Sequence, residues 1–480
     1  MAGLAIRWRA LYPATRALCL FFLLNSVGLS LLLAALPWTP GRKTVLNYTA
    51  RTVMANGGTD SWGQMATALQ EFRAHPDRAL YHDMFLHRHI RFPYPPTSLL
   101  LTEASEHLGL GFAFLNLVSA IAVLSTMALV AVLLIGGFDD GASIGLNRAD
   151  RVALSVVAVA STLTFYPIVK GFTLGQIQTW INLLLGLVLS LWMLGGERSA
   201  GVLAAAATVL KPHYGLLLLW AASRRRWTFC VSFGVTIVLA GLISLWVFGL
   251  HNHVDYLWML SYVSRHGESY FANNAVNGFL HRLLFNGENL DWHEDRYPPM
   301  STWVVGGTLL ASATLVALCL LWRRREADAG GIVDLMIAVL TCVMASPVAW
   351  EHHYGILLPI YAALLPLALR APRAPVVWLA VSYALTSNYF SVTKLAAGTW
   401  LNFVQSSLLF GAAMVLLCLY RLRARQGRDS APGLPAQAGE EFASPYPRSV
   451  AEHGVRAAAS GWATGPQPMT CGERPACAVV

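Results

Sequence analysis

Twelve apolar runs, most of them near the roughly 20 residues that a helix needs to cross a hydrocarbon core, leave this chain few ways to fold. They occupy residues 17–38, 97–111, 112–135, 152–169, 177–194, 201–222, 228–249, 302–322, 332–350, 354–369, 376–391 and 400–420. In lipid every backbone N–H and C=O must be satisfied within the protein, and an isolated run does that only as an α-helix. Charge is too scarce for a water-facing shell. Of 480 residues, 12% are charged and 56% hydrophobic, whereas a soluble domain carries about 25% charged residues. Disordered, collagen-like and disulfide-scaffold chains are excluded by the same composition. The prediction is an all-α polytopic membrane protein with about 12 transmembrane helices.

The basic residues give these helices a direction. Arg7, Arg9 and Arg16 precede the first run. Further clusters follow later runs: Arg224 to Arg226, Arg323 to Arg325, Arg370 with Arg373, and Arg421, Arg423, Arg425 and Arg428. With twelve crossings all of them fall on one side, which the positive-inside bias makes the cytoplasm. The weak member is 97–111, which is short and carries Glu103, Glu106 and His107. A helix lying on the membrane surface is its alternative, but removing that run alone would put Arg224 to Arg226 opposite the amino end, so it counts here as a span. The net charge of +9 is therefore mostly a topology signal, with no basic stripe of the kind nucleic acid requires. The first run exceeds a signal-peptide core and reads as an uncleaved helix. Cys19, Cys230, Cys319, Cys342 and Cys418 lie in or beside spans and Cys471 and Cys477 in the tail, so neither an outer disulfide framework nor a zinc spacing is expected.

The expected organisation is a cytoplasmic amino end at 1–16, a membrane body at 17–420 and a tail at 421–480. The tail is rich in Pro, Gly, Ala and Ser and is predicted to be disordered. Two long outer loops, 39–96 and 251–301, hold most of the polar chemistry. In the first, Gly57-Gly58-Thr59-Asp60 precedes Trp62, Met65, Leu69 and Phe72, which share one helical face. A buried carboxylate there can take a proton from a hydroxyl, although an aspartate just before a helix also suits an N-cap. Tyr94, in Phe92-Pro93-Tyr94-Pro95-Pro96, lies on an extended lead-in to a helix; an interfacial aromatic belt is its plainer reading.

Lys211 falls mid-run beside Pro212, at a depth where an ionisable group normally faces a cavity or a partner. A phosphate ligand, a structural ion pair and a re-entrant hairpin all remain open for it. Glu351, His352 and His353 follow Trp350 at a junction between runs. The two consecutive histidines must diverge on a helix, so one of them can be a packing residue. Asn273, Asn274 and Asn277 precede His281 and Arg282, a polar group suited to hydroxyl and phosphate contacts or to turn chemistry. Trp292 to Asp295 reads as a solvated loop.

Taken in order, these segments resemble glycosyltransferase family 87. The matching features are Asp60 after the first helix, Tyr94-Pro95-Pro96 before the second, Gly175-Gln176 before the fifth, Gly201 followed by Lys211-Pro212, the Asn273 to Asn277 stretch, and Ser346-Pro347 with Trp350, His352 and His353. The resemblance runs over about 17–420. It implies the membrane-embedded GT-C class, with amphipathic helices in the outer loops, and inverting transfer of a hexose, mannose first, from a polyprenyl-phosphate sugar to an acceptor hydroxyl on a glycolipid or glycan. The site would face the periplasm of a bacterial inner membrane. By position, Asp60 would be the general base. His352, His353, Lys211 and Arg282 would hold the donor phosphate, and Tyr94, Asn274, Asn277 and Trp350 would line the substrate. No metal, cofactor or nucleic acid is implied. A transporter or flippase of a lipid-linked sugar is the alternative, but such proteins show two similar halves, and no internal repeat is evident.

Overall fold

The computed structural model describes residues 8–36, 41, 43–141, 146–322, 331–369 and 374–429, and among them the regular elements are helices without a strand. Arg7, the clusters at 323–325 and at Arg370 and Arg373, and the tail from 430 onward lie outside the described residues, as does the side chain of Arg428. Six helices are long and apolar enough to cross a membrane: Pro13–Ala35, Phe112–Asp139, Trp227–His266, Thr302–Leu321, Glu351–Leu369 and Asn402–Arg425. The pair Arg148–Thr164 and Tyr166–Leu174, bent by 53°, reaches the same length and apolarity when its two members are taken together. Pro167 lies in the first turn of the second member, where its missing N–H is tolerated but an unbroken hydrogen-bond ladder is not. Gln178–Met193, Ile332–Met344 and Pro375–Ser387 are shorter apolar helices among the described residues. Ile332–Met344 is buried along nearly its whole length, so its surroundings are protein and its length need not match the lipid.

Two of the twelve expected runs depart furthest from a single membrane-length helix. The first, 97–111, is the helix Pro96–His107, 12 residues and about 18 Å long at 1.5 Å per residue. Its acidic residues fasten it sideways, since Arg73 on the helix Asp60–Ala74 pairs with Glu103 at 2.8 Å and Glu106 at 2.6 Å. The second, 201–222, breaks at Lys211 and Pro212 into Glu197–Leu210 and Leu216–Ser223. These form a hairpin whose open ends meet, Arg226 reaching Glu197 at 3.1 Å, with Lys211 at the closed tip.

The described members of the basic clusters lie at one end of the bundle. There Tyr12 donates its N–H to Asp150 (3.0 Å), Arg151 pairs with Asp139 (2.7 Å), and Arg224 and Arg423 both pair with buried Asp334 at 2.6 Å. The opposite end carries the outer segments, packed on one another. Helix Trp227–His266 turns at Gly249 (φ 72°, ψ 157°), and beyond the turn Asp255 accepts from the Tyr81 N–H at 2.5 Å and contacts His82. Arg91 pairs with Glu268 across the two segments. The amphipathic reading of Asp60–Ala74 holds, with Trp62, Met65 and Leu69 buried against the bundle.

Candidate active site

Two glycine turns cross in contact at this end and fix Asp60. Gly175 closes helix Tyr166–Leu174 in a left-handed conformation (φ 72°), which glycine adopts without the usual Cβ penalty. The Gly58 N–H donates to the Thr173 carbonyl (3.1 Å) and the Ser61 N–H to the Gly175 carbonyl (3.2 Å). A Cβ on Gly58 would stand 2.6 Å from the Leu174 carbonyl oxygen, so the crossing requires glycine on steric grounds. Asp60 is the first residue of its helix, and Thr59 holds the N-cap position without a side-chain bond, so a capping role does not account for Asp60. Gln176 donates from Nε2 to Asp60 Oδ2. Gln176 Oε1 accepts from Ser61 Oγ at 3.0 Å and Tyr94 Oη at 3.2 Å, which orients the amide. Tyr94 is thus a buried member of the support beneath the carboxylate.

Asp60 opens to solvent on one side while protein crowds the others. Burial raises its pKa from the ordinary value, and the Gln176 donor and the nearby Lys170 ammonium offset part of that rise. A carboxylate that is reachable, oriented and more basic than usual is suited to deprotonating a hydroxyl.

Below it lies a buried polar floor. Lys211 Nζ donates to Gln178 Oε1 (2.8 Å) and stands 2.7 Å from His353 Nε2; it also lies 5.8 Å from the Tyr94 ring centroid. His213 stacks on His353 with centroids 6.1 Å apart. The expected divergence of the histidines is seen in the 3-10 turn Glu351–Ile356, the two rings meeting at 80°. His353 joins the lysine floor, while His352 packs against Gly171 and leaves Nε2 buried with no hydrogen-bond partner. Glu351 accepts from Tyr166 Oη at 2.6 Å.

The remaining candidates are placed apart from Asp60. Arg282 is buried, with Nε and Nη2 donating to Ser406 Oγ (3.2 and 2.8 Å) and Nη2 also to the Asn273 carbonyl (2.8 Å); burial pushes its pKa down to about 9. Asn277 accepts from the Glu268 N–H (3.0 Å) and donates to Thr308 Oγ1 (3.2 Å), so both its groups are engaged in the fold. Asn274 takes the Tyr354 hydroxyl on its carbonyl (2.6 Å) and keeps a buried Oδ1 with no partner. Trp350 bridges to Asn273 and packs beside Trp292, centroids 5.2 Å apart. The Trp292 to Asp295 loop is tethered as well as solvated, since Arg91 donates to the carbonyls of His293 (2.6 Å) and Glu294 (3.0 Å). Sequence reasoning attached no role to Gln176, Gln178, His213 or Lys170. Gly175-Gln176 is visible as a motif, but the side-chain partners of Gln176, and the Lys211 and Tyr214 partners of Gln178, lie more than thirty residues away in sequence.

The model of glycosyltransferase family 87 matches residues 92–347, more than half of the chain, and the chain belongs to that family. Among curated proteins it is similar to the polyprenol-phosphate-mannose-dependent alpha-(1-2)-phosphatidylinositol mannoside mannosyltransferase of Mycobacterium tuberculosis. The two are 26% identical over 287 residues, which is 56% of this chain and 60% of that relative's length. No solved structure matches.

Proposed function

We propose that the protein transfers a mannosyl group from a polyprenyl-phosphate sugar to an acceptor hydroxyl on a glycolipid or glycan, with inversion. The observation that carries this reading is the seat of Asp60, a solvent-open carboxylate oriented by Gln176 beside a buried histidine and lysine floor. The relative named as polyprenol-phosphate-mannose-dependent supports the donor class. In the proposed step Asp60 takes the acceptor proton as the acceptor oxygen bonds to the anomeric carbon. The bond from that carbon to the phosphate oxygen breaks, and its electron pair leaves with polyprenyl phosphate. Such a phosphate already carries charge, so cationic side chains can stabilise its departure. The reading calls for no cofactor.

We take the basic end of the bundle as cytoplasmic, which makes the Asp60 end periplasmic in a bacterial inner membrane. On this reading 17–420 is the catalytic body and 421–480 a cytoplasmic tail. The test offers purified protein in lipid nanodiscs labelled mannose on polyprenyl phosphate or on a nucleoside diphosphate, with a panel of glycolipid acceptors. Transfer from the lipid donor alone, giving a product of opposite anomeric configuration, supports the reading. Transfer from the nucleotide sugar, or retained configuration, overturns it.

A further inference from the structure

The cations expected to hold the donor phosphate differ in availability. Arg282 spends its donors on Ser406 and backbone carbonyls, and Lys211 is held between Gln178 and His353. Lys170 differs from both. It sits on the short arm Tyr166–Leu174, past the bend made at Pro167, one residue before the Gly171 that packs on His352. Its ammonium lies 5.1 Å from the Tyr48 ring centroid and has no hydrogen-bond or ion-pair partner among the described residues. It stands within electrostatic reach of both carboxylates of the site, Asp60 and Glu351, and of His352. His352 supplies an independent sign of a missing ligand, because its Nε2 is buried without a partner, and such groups are normally satisfied.

We propose that Lys170 and His352 Nε2 together receive the phosphate of the lipid donor, with Lys170 as its principal cation. The proposal rests on the mannosyl-transfer reading and names the ligand of its donor site. It also gives a role to the coupling of Lys170 to both Asp60 and His352. During transfer the charge on Asp60 disappears as the proton arrives, and a further charge appears on the phosphate as the sugar leaves. A cation between the two faces an anion at every stage, and its attraction for the phosphate grows toward the transition state, where it lowers the barrier most.

The test uses full-length protein in nanodiscs, comparing wild type with Lys170→Met, Lys170→Gln and Lys170→Arg. The readouts are donor and acceptor kinetics, together with inhibition by unlabelled polyprenyl phosphate. Lys170→Met and Lys170→Gln are expected to lose about a hundredfold or more in donor kcat/KM, as for removal of one charge-stabilising group. Polyprenyl phosphate should inhibit them at least tenfold less tightly, with acceptor KM unchanged and Lys170→Arg retaining part of the lost function. Inhibition by polyprenyl phosphate at wild-type strength in either neutral variant overturns the Lys170 assignment. Should one neutral variant fail to fold, the other, read beside Lys170→Arg, decides the matter. Absence of lipid-donor transfer in wild type would instead overturn the reading on which the assignment rests.

Discussion

Burial makes Asp60 a better base and also a costlier residue, and both effects can be measured. The base must be ionised, so kcat/KM should fall as pH drops through the Asp60 pKa, with its inflection above the ordinary carboxylate value of about 3.9. Removing the Gln176 donor withdraws a contact that favours the charged form, so Gln176→Leu should shift that acid limb to higher pH; an unmoved limb would separate Gln176 from the base. The stability linkage runs the opposite way. A carboxyl raised in the folded state contributes most to stability below its unfolded pKa and loses that contribution as pH rises through the folded one. Asp60→Asn should therefore be neutral or stabilising in thermal unfolding at pH 7 while abolishing turnover, whereas a marked loss of stability would point to a structural role. Asp60 and the histidine pair were legible as chemistry-bearing residues in sequence. Gln176 and Lys170 were not, because their significance comes from the hydrogen bond of Gln176 to Asp60 and the electrostatic coupling of Lys170 to Asp60 and His352, more than a hundred residues away.

At the level of elements, breaks in helices create the site. The bend at Phe165 carries Lys170 toward His352, the break at Pro212 leaves Lys211 at the tip of a hairpin, and Gly175 ends an arm where it meets Gly58. Gly175→Ala should cost at least about 1–2 kcal/mol from the left-handed backbone alone, with the clash against Gly58 in addition, and activity should fall with it; unchanged thermal stability would contradict the crossing. Hydropathy located every apolar segment, because composition sets where a helix can be buried. It did not reveal which segments cross. The helix Pro96–His107 is fastened to the helix Asp60–Ala74 by pairing of its glutamates with Arg73, and 201–222 doubles back because Pro212 cannot continue a helix. Neither event changes the mean hydropathy of its segment.

For the molecule as a whole, the chemistry divides between a basic end and a site end. Asp334 fixes the basic end by pairing with Arg224 and Arg423. Asp334→Ala would leave two poorly solvated guanidinium groups and should destabilise the protein by roughly 3–5 kcal/mol, read as a lowered unfolding temperature in detergent; a loss below about 1 kcal/mol would show that the cluster is open to water. Sidedness can be tested with single cysteines at Arg425 and Trp292 in intact cells: an impermeant maleimide should label position 292 and not position 425, and the reverse pattern would invert the topology. The central claim is that Asp60 is the base of a lipid-dependent sugar transfer. Its most direct test is single-turnover transfer of labelled mannose from polyprenyl phosphate by purified wild type and Asp60→Asn. The account predicts a loss of a hundredfold to ten-thousandfold in rate, the usual range for a general base, with the inhibition constant for polyprenyl phosphate little changed. Transfer by Asp60→Asn at the wild-type rate would contradict it.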